Sequence, residues 1–406
     1  MHILLIHQAF AALDEAGGTR HYEIARSLAG KGHHVTIITS PVSYLTGKTD
    51  GRRMHWVEKE NPEKGITILR GFTYSALHRS FLHRLLSFIT FMISSFFIGL
   101  GVNKVDVLWG TSPSIFQGVT AWLLARLKRV PFLFEVRDLW PEFAIAIGVL
   151  KNKTIIRMSY WLESFLYKHS DQMVVNSPGF IPLVEARGGR NIVLIPNGAD
   201  PAMFDPASRG EGFRKENRLG SAFTVLYAGA HGISNDLDVV LDAAALTIPN
   251  KEVKYVLVGD GKEKPNLMQK AELHKLSNVL FLPPVPKNKM AEVIAAADAC
   301  IAILKPLELY KTTYPNKVFD YMAAGRPILL VIDGVIRNVV EKADAGKFTP
   351  PGNAAALAQA INEFAAHRVK TRKMGMNGRD YVCRHFDRRS MAGQFETVFS
   401  QLIENH

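Results

Sequence analysis

The chain has 406 residues, 47% apolar and 21% charged, enough for two or three packed domains, which excludes a disordered, collagen-like or coiled-coil protein. Its two cysteines, Cys300 and Cys383, rule out a disulfide framework and a cysteine-based zinc site, and point to a reducing compartment. The 49 Lys+Arg against 37 Asp+Glu leave a net charge of +12, which favours an anionic partner: nucleic acid, an acidic membrane leaflet or a phosphorylated small molecule.

The opening MHILLIHQAF has neither the basic start nor the long apolar run of a secretory signal, and ILLIH reads as a first strand. A helical pattern from about Arg20 to Ala29 follows, then the strands HVTIIT and ITILR. The eighteen uncharged residues from Leu85 to Val102, preceded by His78, Arg79, His83 and Arg84, are just long enough for a membrane span. Ser80, His83, Ser87, Thr90 and Ser94 nevertheless form one polar stripe, which predicts an amphipathic helix. The strand-like runs on both sides of this segment also read as one sheet, which a spanning helix would divide. The expectation is therefore a helix on the sheet, with Phe81, Phe88, Phe91, Phe96 and Phe97 beside Arg79 and Arg84 available to an anionic membrane surface.

VDVLWG, a helix around Val119 to Leu127, PFLFEV, a helix from about Ile155 to Tyr167, QMVVN and IVLIP complete the first half. In IPNGADPAMFDP the prolines 196, 201 and 206 and Gly198 interrupt the alternation and mark a linker. The alternation restarts with FTVLYAG, a helix from Leu237 to Ala245, KYVLVGDG, NVLFLP, ACIAIL and PILLVI. Two doubly wound α/β units in tandem are predicted, with residues 1–200 as the first domain, 201–383 as the second, and 384–406 as a final helix able to return to the first. From Arg368 to Arg389 eight Lys/Arg face two Asp, which suits either a solvated helix face or an anionic surface.

In open parallel sheets ligands bind beyond the carboxyl ends of the strands, so the residues there are the candidates. Gly17 and Gly18 precede the first helix and would let backbone N–H groups approach a phosphate or simply form a loop. Arg137 and Asp138 follow PFLFEV and would bind a polar substrate or form a structural ion pair. The densest cluster is YKTTYPNKVFDYMAAGRP: Tyr314, Pro315 and Asn316 form a turn, Lys317 opens a helix, and Asp320 lies one turn on. A lysine at a helix start favours a diphosphate and the carboxylate would accept from ribose hydroxyls, unless Lys317 and Asp320 merely pair with each other. Gly259-Asp260-Gly261 lacks the third glycine of a dinucleotide fingerprint, and Asp236-Leu237-Asp238 reads as helix capping rather than a metal pair. Neither H-E-x-x-H nor G-x-S-x-G occurs, and no compact basic motif with interleaved aromatics suggests nucleic acid.

With GGTRHYEIARSLAGKGHHVTIIT, EVRDLWPE, IPNGAD, LYAGAHG, VGDG, FLPPVP and KVFDYMAAGRPIL in this order, the chain resembles the retaining glycosyltransferases of family 4. The RDLWPE and YPNKVFDYMAAGRP segments look closest to the N-acetyl-L-fucosamine transferase branch of O-antigen and capsule assembly. The resemblance implies the GT-B fold, two Rossmann-like domains facing across a cleft, and metal-independent transfer with a UDP-sugar as co-substrate and no cofactor. It implies that Gly17 and Gly18 approach the diphosphate or acceptor, that residues 314–317 hold the donor diphosphate, and that Asp320 stands for the second glutamate of the family's E-x7-E motif at the ribose. Phe281 to Pro286 would frame the base, and Arg137-Asp138 would replace a His-Asp pair that touches the transferred sugar. Three departures stand out. Thr312 replaces the first glutamate, while Ala230 and Asn235 replace the usual Arg and Lys at the diphosphate. Lys317 and Lys264 are then the candidate positive groups, with His231 a third; His231 lies in the loop that begins at Gly229, itself a candidate at the substrate.

The function these readings imply is transfer of a hexosamine-type sugar to a polyprenyl-diphosphate-linked acceptor, at the cytoplasmic face of the plasma membrane. A nucleotide-sugar epimerase of the same fold, or a non-catalytic binder of nucleotide sugar or lipid, is the alternative reading.

Overall fold

The computed structural model describes residues 1–43, 47–49, 51–75 and 81–406; the expectations for His78, Arg79 and Ser80, and for the side chain of Phe81, lie outside the described residues. It separates into two compact units: residues 1–12, 17–196 and 388–406, and residues 13–16 with 197–387.

The first unit runs β1 (His2–Ile6), α1 (Arg20–Gly30), β2 (His34–Thr39), β3 (Val57–Glu63), β4 (Ile66–Gly71), α2 (Phe81–Leu100) and β5 (Val107–Thr111). It continues with α3 (Ile115–Lys128), β6 (Phe132–Val136), α4 (Glu142–Ala146), α5 (Lys153–His169), β7 (Gln172–Val175), α6 (Ile181–Ala186) and β8 (Ile192–Leu194). Its eight strands lie in the order β3-β4-β2-β1-β5-β6-β7-β8. All neighbours are parallel except β3 and β4. Strands β5 and β6, VLWGT and FLFEV, bury every residue because helices cover both faces, and they are continuously apolar apart from Thr111 and Glu135. Strand β3 has no counterpart in the sequence reading. Its VEKENPE is charged, carries Pro62 and has a register shift between Glu60 and Glu63, the features of an edge strand that resists further pairing.

The second unit runs α7 (Glu211–Glu216), β9 (Phe223–Ala228), α8 (Leu237–Leu246), β10 (Val253–Val258), α9 (Lys264–Leu273), β11 (Val279–Leu282), α10 (Lys287–Ala295) and β12 (Ala299–Ile303). Then come α11 (Asn316–Ala323), β13 (Ile328–Val331), α12 (Val335–Lys342), β14 (Gly346–Phe348), α13 (Ala354–Ala366) and α14 (Arg368–His385). Its six parallel strands are ordered β11-β10-β9-β12-β13-β14, the last a three-residue strand too short to show in sequence. The topology reverses between β9 and β12, so the carboxyl ends of these two strands border the crevice where such sheets take ligands.

The final helix α15 (Arg388–Glu404) belongs to the first unit. Phe395 and Phe399 pack on Trp109 of β5, while Arg388 donates to Glu23 and Lys31 pairs with Glu396, both across α1.

Helix α2 is long and apolar enough to cross a membrane by length and composition. It lies instead between strands of one sheet, with Ser95 within 3.5 Å of Thr120 on α3 and Gly71 of β4 against Ile98. Ser87 and Ser94 of the polar stripe are buried, as is neighbouring Ser95, and Phe91, expected at a lipid surface, is fully enclosed.

Candidate functional site

The second unit gathers its chemistry where β9, β10 and the loop before α11 end. Lys317, in the first turn of α11, points its ammonium over the Tyr227 ring at 3.9 Å, and Nζ is buried with no hydrogen-bond partner. Burial without a counter-charge pushes Lys317 down to about 7. Gly229, at φ +147°, keeps the space open: a Cβ there would lie 2.8 Å from Lys317 Nζ. Two residues on, His231 is fully buried and neither ring nitrogen has a partner. Burial, then the neighbouring charges of Lys264 and Lys317, lower His231 to about 4, so its ring is neutral, with one N–H to donate. The loop is held by backbone bonds from His231 N to Asp260 O at 2.8 Å and from Glu263 N to His231 O at 2.9 Å. Buried polar groups are nearly always paired, so an ammonium and a neutral imidazole without hydrogen-bond partners leave donors that an anion could take up.

Other expected residues have other partners. Lys264 donates to Gly259 O and Leu282 O at 2.7 and 2.8 Å, tying β10 to β11, so it serves the loop's shape rather than standing free for a phosphate. Asp320 does not pair with Lys317; it accepts from Lys287 Nζ at 2.6 Å, and both side chains are largely buried. Lys287, missed in the sequence, directly follows the FLPPVP segment that was singled out. Asn316 Oδ1 is buried without a partner, and the backbone carbonyl of Tyr314 accepts from Asn197 Nδ2 at 2.6 Å, so the IPNGAD motif anchors the turn ahead of Pro315 and α11. Thr312 closes a short 3-10 turn by donating to Leu309 O. Phe281 lines a groove with Asp260, Gly261, Lys264, Pro265 and Met268.

Asp236 stands at the N-terminal cap of α8 without a capping bond from its side chain, correcting the expected capping role, and Asp238 pairs with Lys270 at 3.0 Å. Among the described residues no group of three His, Cys, Asp or Glu is placed to hold a metal ion.

The first unit's candidates end β6. Arg137 is fixed by bonds from Nε to Thr111 Oγ1 at 2.9 Å and from Nη2 to Ser112 O at 2.9 Å and His7 Nε2 at 2.7 Å. Since guanidinium only donates, His7 accepts at Nε2 and its buried, unpartnered Nδ1 carries the hydrogen. Ser112 Oγ accepts from the backbone N–H of both Arg137 and Asp138. Burial raises the Asp138 carboxyl to about 6, an effect that Arg137 offsets only in part. Gly17, at φ +155°, has no room for a side chain because a Cβ would meet Ala11 at 2.8 Å, whereas Gly18 has open space around it. Behind this surface Glu135 accepts from Arg20 at 2.9 and 3.1 Å and from His21 Nε2 at 2.7 Å. Burial alone would raise Glu135, but Arg20 and His21 outweigh it and hold the carboxylate well below its usual range. Arg20 also donates to the carbonyls of Ile195 and Pro196. Glu135, Arg20 and His21 went unassigned in the sequence, although all three lie inside quoted motifs; His7 was legible as the residue ending the first strand.

Two parallel Rossmann-like units, each with its polar cluster at the carboxyl ends of the strands, define a two-domain α/β protein of the GT-B class. Residues 16–198 match the glycosyl transferase 4-like domain and residues 222–367 match the glycosyl transferases group 1 domain, and the protein is therefore a glycosyltransferase. It is 23% identical over 313 residues to WcaI of Escherichia coli K12, named as a colanic acid biosynthesis glycosyl transferase, covering 75% of this chain and 76% of that one. Sucrose-phosphate synthase from Thermosynechococcus elongatus has a similar fold, with a TM-score of 0.78 at 20% identity and full coverage of both chains. HepE from Anabaena, in complex with UDP and glucose, superposes with a TM-score of 0.73 at 17% identity over 99% of this chain and 100% of that one. The epimerase and non-catalytic readings are not favoured by these relatives.

Proposed function

We propose that this glycosyltransferase moves a hexosamine-type sugar from a UDP-sugar to a polyprenyl-diphosphate-linked saccharide, at the cytoplasmic face of the plasma membrane, in surface polysaccharide synthesis. The observation that carries the reading is the unpaired Lys317 ammonium beside the unpaired His231 ring at the topological switch of the second sheet. In this reading the donor diphosphate lies against these groups and the N-terminus of α11. Phe281 and the groove beside it take the base, and Asp320, oriented by Lys287, faces the ribose. The relative named for colanic acid biosynthesis supports a polysaccharide product, and the UDP complex of HepE supports a uridine nucleotide. The RDLWPE and YPNKVFDYMAAGRP segments favour the N-acetyl-L-fucosamine transferase branch.

Chemistry then follows from where charge develops. As the bond between the anomeric carbon and the β-phosphate oxygen breaks, negative charge grows on the departing diphosphate. Lys317 as ammonium, the His231 N–H and backbone amides stabilise it without reorganising. The acceptor hydroxyl attacks from the same face, its oxygen bonds to the anomeric carbon, and its proton passes to the departing phosphate oxygen, so configuration is retained and no protein nucleophile is needed. Asp138, held beside Arg137, orients the sugar hydroxyls, and Arg137 assists through its fixed position.

Thermal shift with UDP, UDP-GlcNAc and UDP-N-acetylfucosamine, followed by UDP release in the presence of a polyprenyl-diphosphate-linked acceptor, tests the proposal. Stabilisation by at least one nucleotide sugar and acceptor-dependent UDP release are expected, unchanged by EDTA. Loss of product with chelator, or donor conversion without acceptor, would overturn it.

A further inference from the structure

Helix α2 is built inside out. Ser87, Ser94 and Ser95, 0–1% exposed, face the protein, where Ser94 Oγ donates to Phe72 O at 2.7 Å and Gln8 donates to Ser87 O. Outward stand Leu82, Leu86, Ile93, Phe97 and Leu100, 40–64% exposed, at helical spacing along one side. A surface helix of a soluble domain has the opposite polarity, because its apolar stripe is what the core pays for.

The same exposure continues on the two helices beside it. Gly99 of α2 packs on Leu124 of α3, whose outer side carries Leu123 and Leu127. Trp122 of α3 meets Phe165 of α5 edge-on with ring centroids 4.8 Å apart, and Phe165 stacks on Trp161, which is 66% exposed next to Met158 at 64%. Nine of the eighteen large apolar side chains exposed among the described residues therefore sit on three adjacent helices, about an eighth of the chain, too concentrated for scattered surface residues.

Charge specifies the partner. Among the described residues of α2, α3 and α5 the one acidic side chain is Glu163, and it is buried. Arg126, Lys153, Arg157 and Lys168 are exposed around the apolar side chains, with Asp171 opposite Arg126 at 3.8 Å. Pairing with a second copy of this chain through a two-fold interface would set this basic rim against itself. An anionic bilayer satisfies both features, taking the apolar side chains below the headgroups and the bases beside the phosphates.

We propose that the outer faces of α2, α3 and α5 together form a shallow docking surface for an anionic lipid leaflet, with α2 lying parallel to the membrane. This rests on the membrane location proposed above but uses no residue of the donor site. The test is flotation with phosphatidylglycerol–phosphatidylcholine vesicles, with phosphatidylcholine alone as the control. Wild-type protein is expected to float with the anionic vesicles, and Leu127→Ser/Trp161→Ser to bind them about tenfold or more weakly, because two apolar side chains that enter the bilayer on docking are lost. Arg126→Gln/Arg157→Gln should lose about tenfold on anionic vesicles and little on neutral ones. The wild-type-minus-Trp161→Phe emission spectrum should shift to the blue on binding. UDP-induced thermal stabilisation, unchanged in all these variants, reports folding and the donor site separately. Absence of flotation at low salt, flotation unaffected by either double substitution, or a lipid-free dimer dissociated by Leu127→Ser/Trp161→Ser would overturn the proposal.

Discussion

Replacing Lys317 with methionine keeps the side chain's length and removes its charge, and the structure sets opposite signs for its effects on stability and on function. In the unfolded chain Lys317 titrates near 10.5, whereas burial holds it at about 7 in the folded protein. The unfolded state therefore binds more protons between these values, so stability rises with pH across the window and the full cost is present below pH 7. The gap corresponds to an upper limit of about 5 kcal/mol, with a slope of at most ~1.4 kcal/mol per pH unit. Lys317→Met should be more stable than wild type at pH 7, the advantage shrinking towards pH 10, as read by urea unfolding across that range. Function moves the other way. A nucleotide sugar keeps both diphosphate charges over this range, so wild-type affinity for UDP-GlcNAc by calorimetry should fall by up to about tenfold per pH unit above 7 as the ammonium is lost. Lys317→Met should bind weakly at every pH and lose about 10²–10³ in kcat, the cost of one missing donor at a developing oxyanion. A variant less stable than wild type at pH 7 with near-normal turnover, or a pH-independent donor affinity, would refute the reasoning.

Burial raises Asp138 to about 6 from its ordinary value of 3.8, so its folded form holds a proton that the unfolded form releases, and stability falls as pH rises from about 4 to 6. Asp138→Asn should flatten that slope in thermal unfolding and leave the protein more stable at pH 7, while weakening transfer. Glu135→Gln leaves Arg20 and His21 buried beside a neutral amide and should cost about 3–5 kcal/mol in urea unfolding. Gly229→Ala places a Cβ 2.8 Å from Lys317 Nζ at a positive φ; a loss of roughly 1–3 kcal/mol in stability is expected, with reduced UDP affinity in a thermal-shift titration.

Much of the fold was legible because period and punctuation agree. The helix expected from Arg20 to Ala29 runs Arg20–Gly30, and that expected from Leu237 to Ala245 runs Leu237–Leu246, each bounded by turn residues and carrying a buried stripe. The strands missed, Val57–Glu63 and Gly346–Phe348, are an edge strand disguised by charge and a strand of three residues. Helix α5 starts on a local cap, Asn152 Oδ1 accepting from the N–H groups of Thr154 and Ile155. Lys317 was visible because a lysine at a helix start after a proline turn is a local pattern. Its isolation was not, because the alternative partner Asp320 is only three residues away.

Local order along the chain carries the alternating strands and helices, the prolines and glycines of the linker, and the short motifs at strand ends, since each depends on neighbours within a few residues. Partnerships come from folding: Lys287 reaches Asp320 across 33 residues and Arg20 reaches Glu135 across 115, and no periodicity encodes such pairs. The facing of α2 belongs to the same class. Its sequence shows a serine stripe and an apolar stripe, but which one turns inward depends on whether the sheet and α3 offer acceptors such as Phe72 O to buried hydroxyls, and that is a property of the assembled layer.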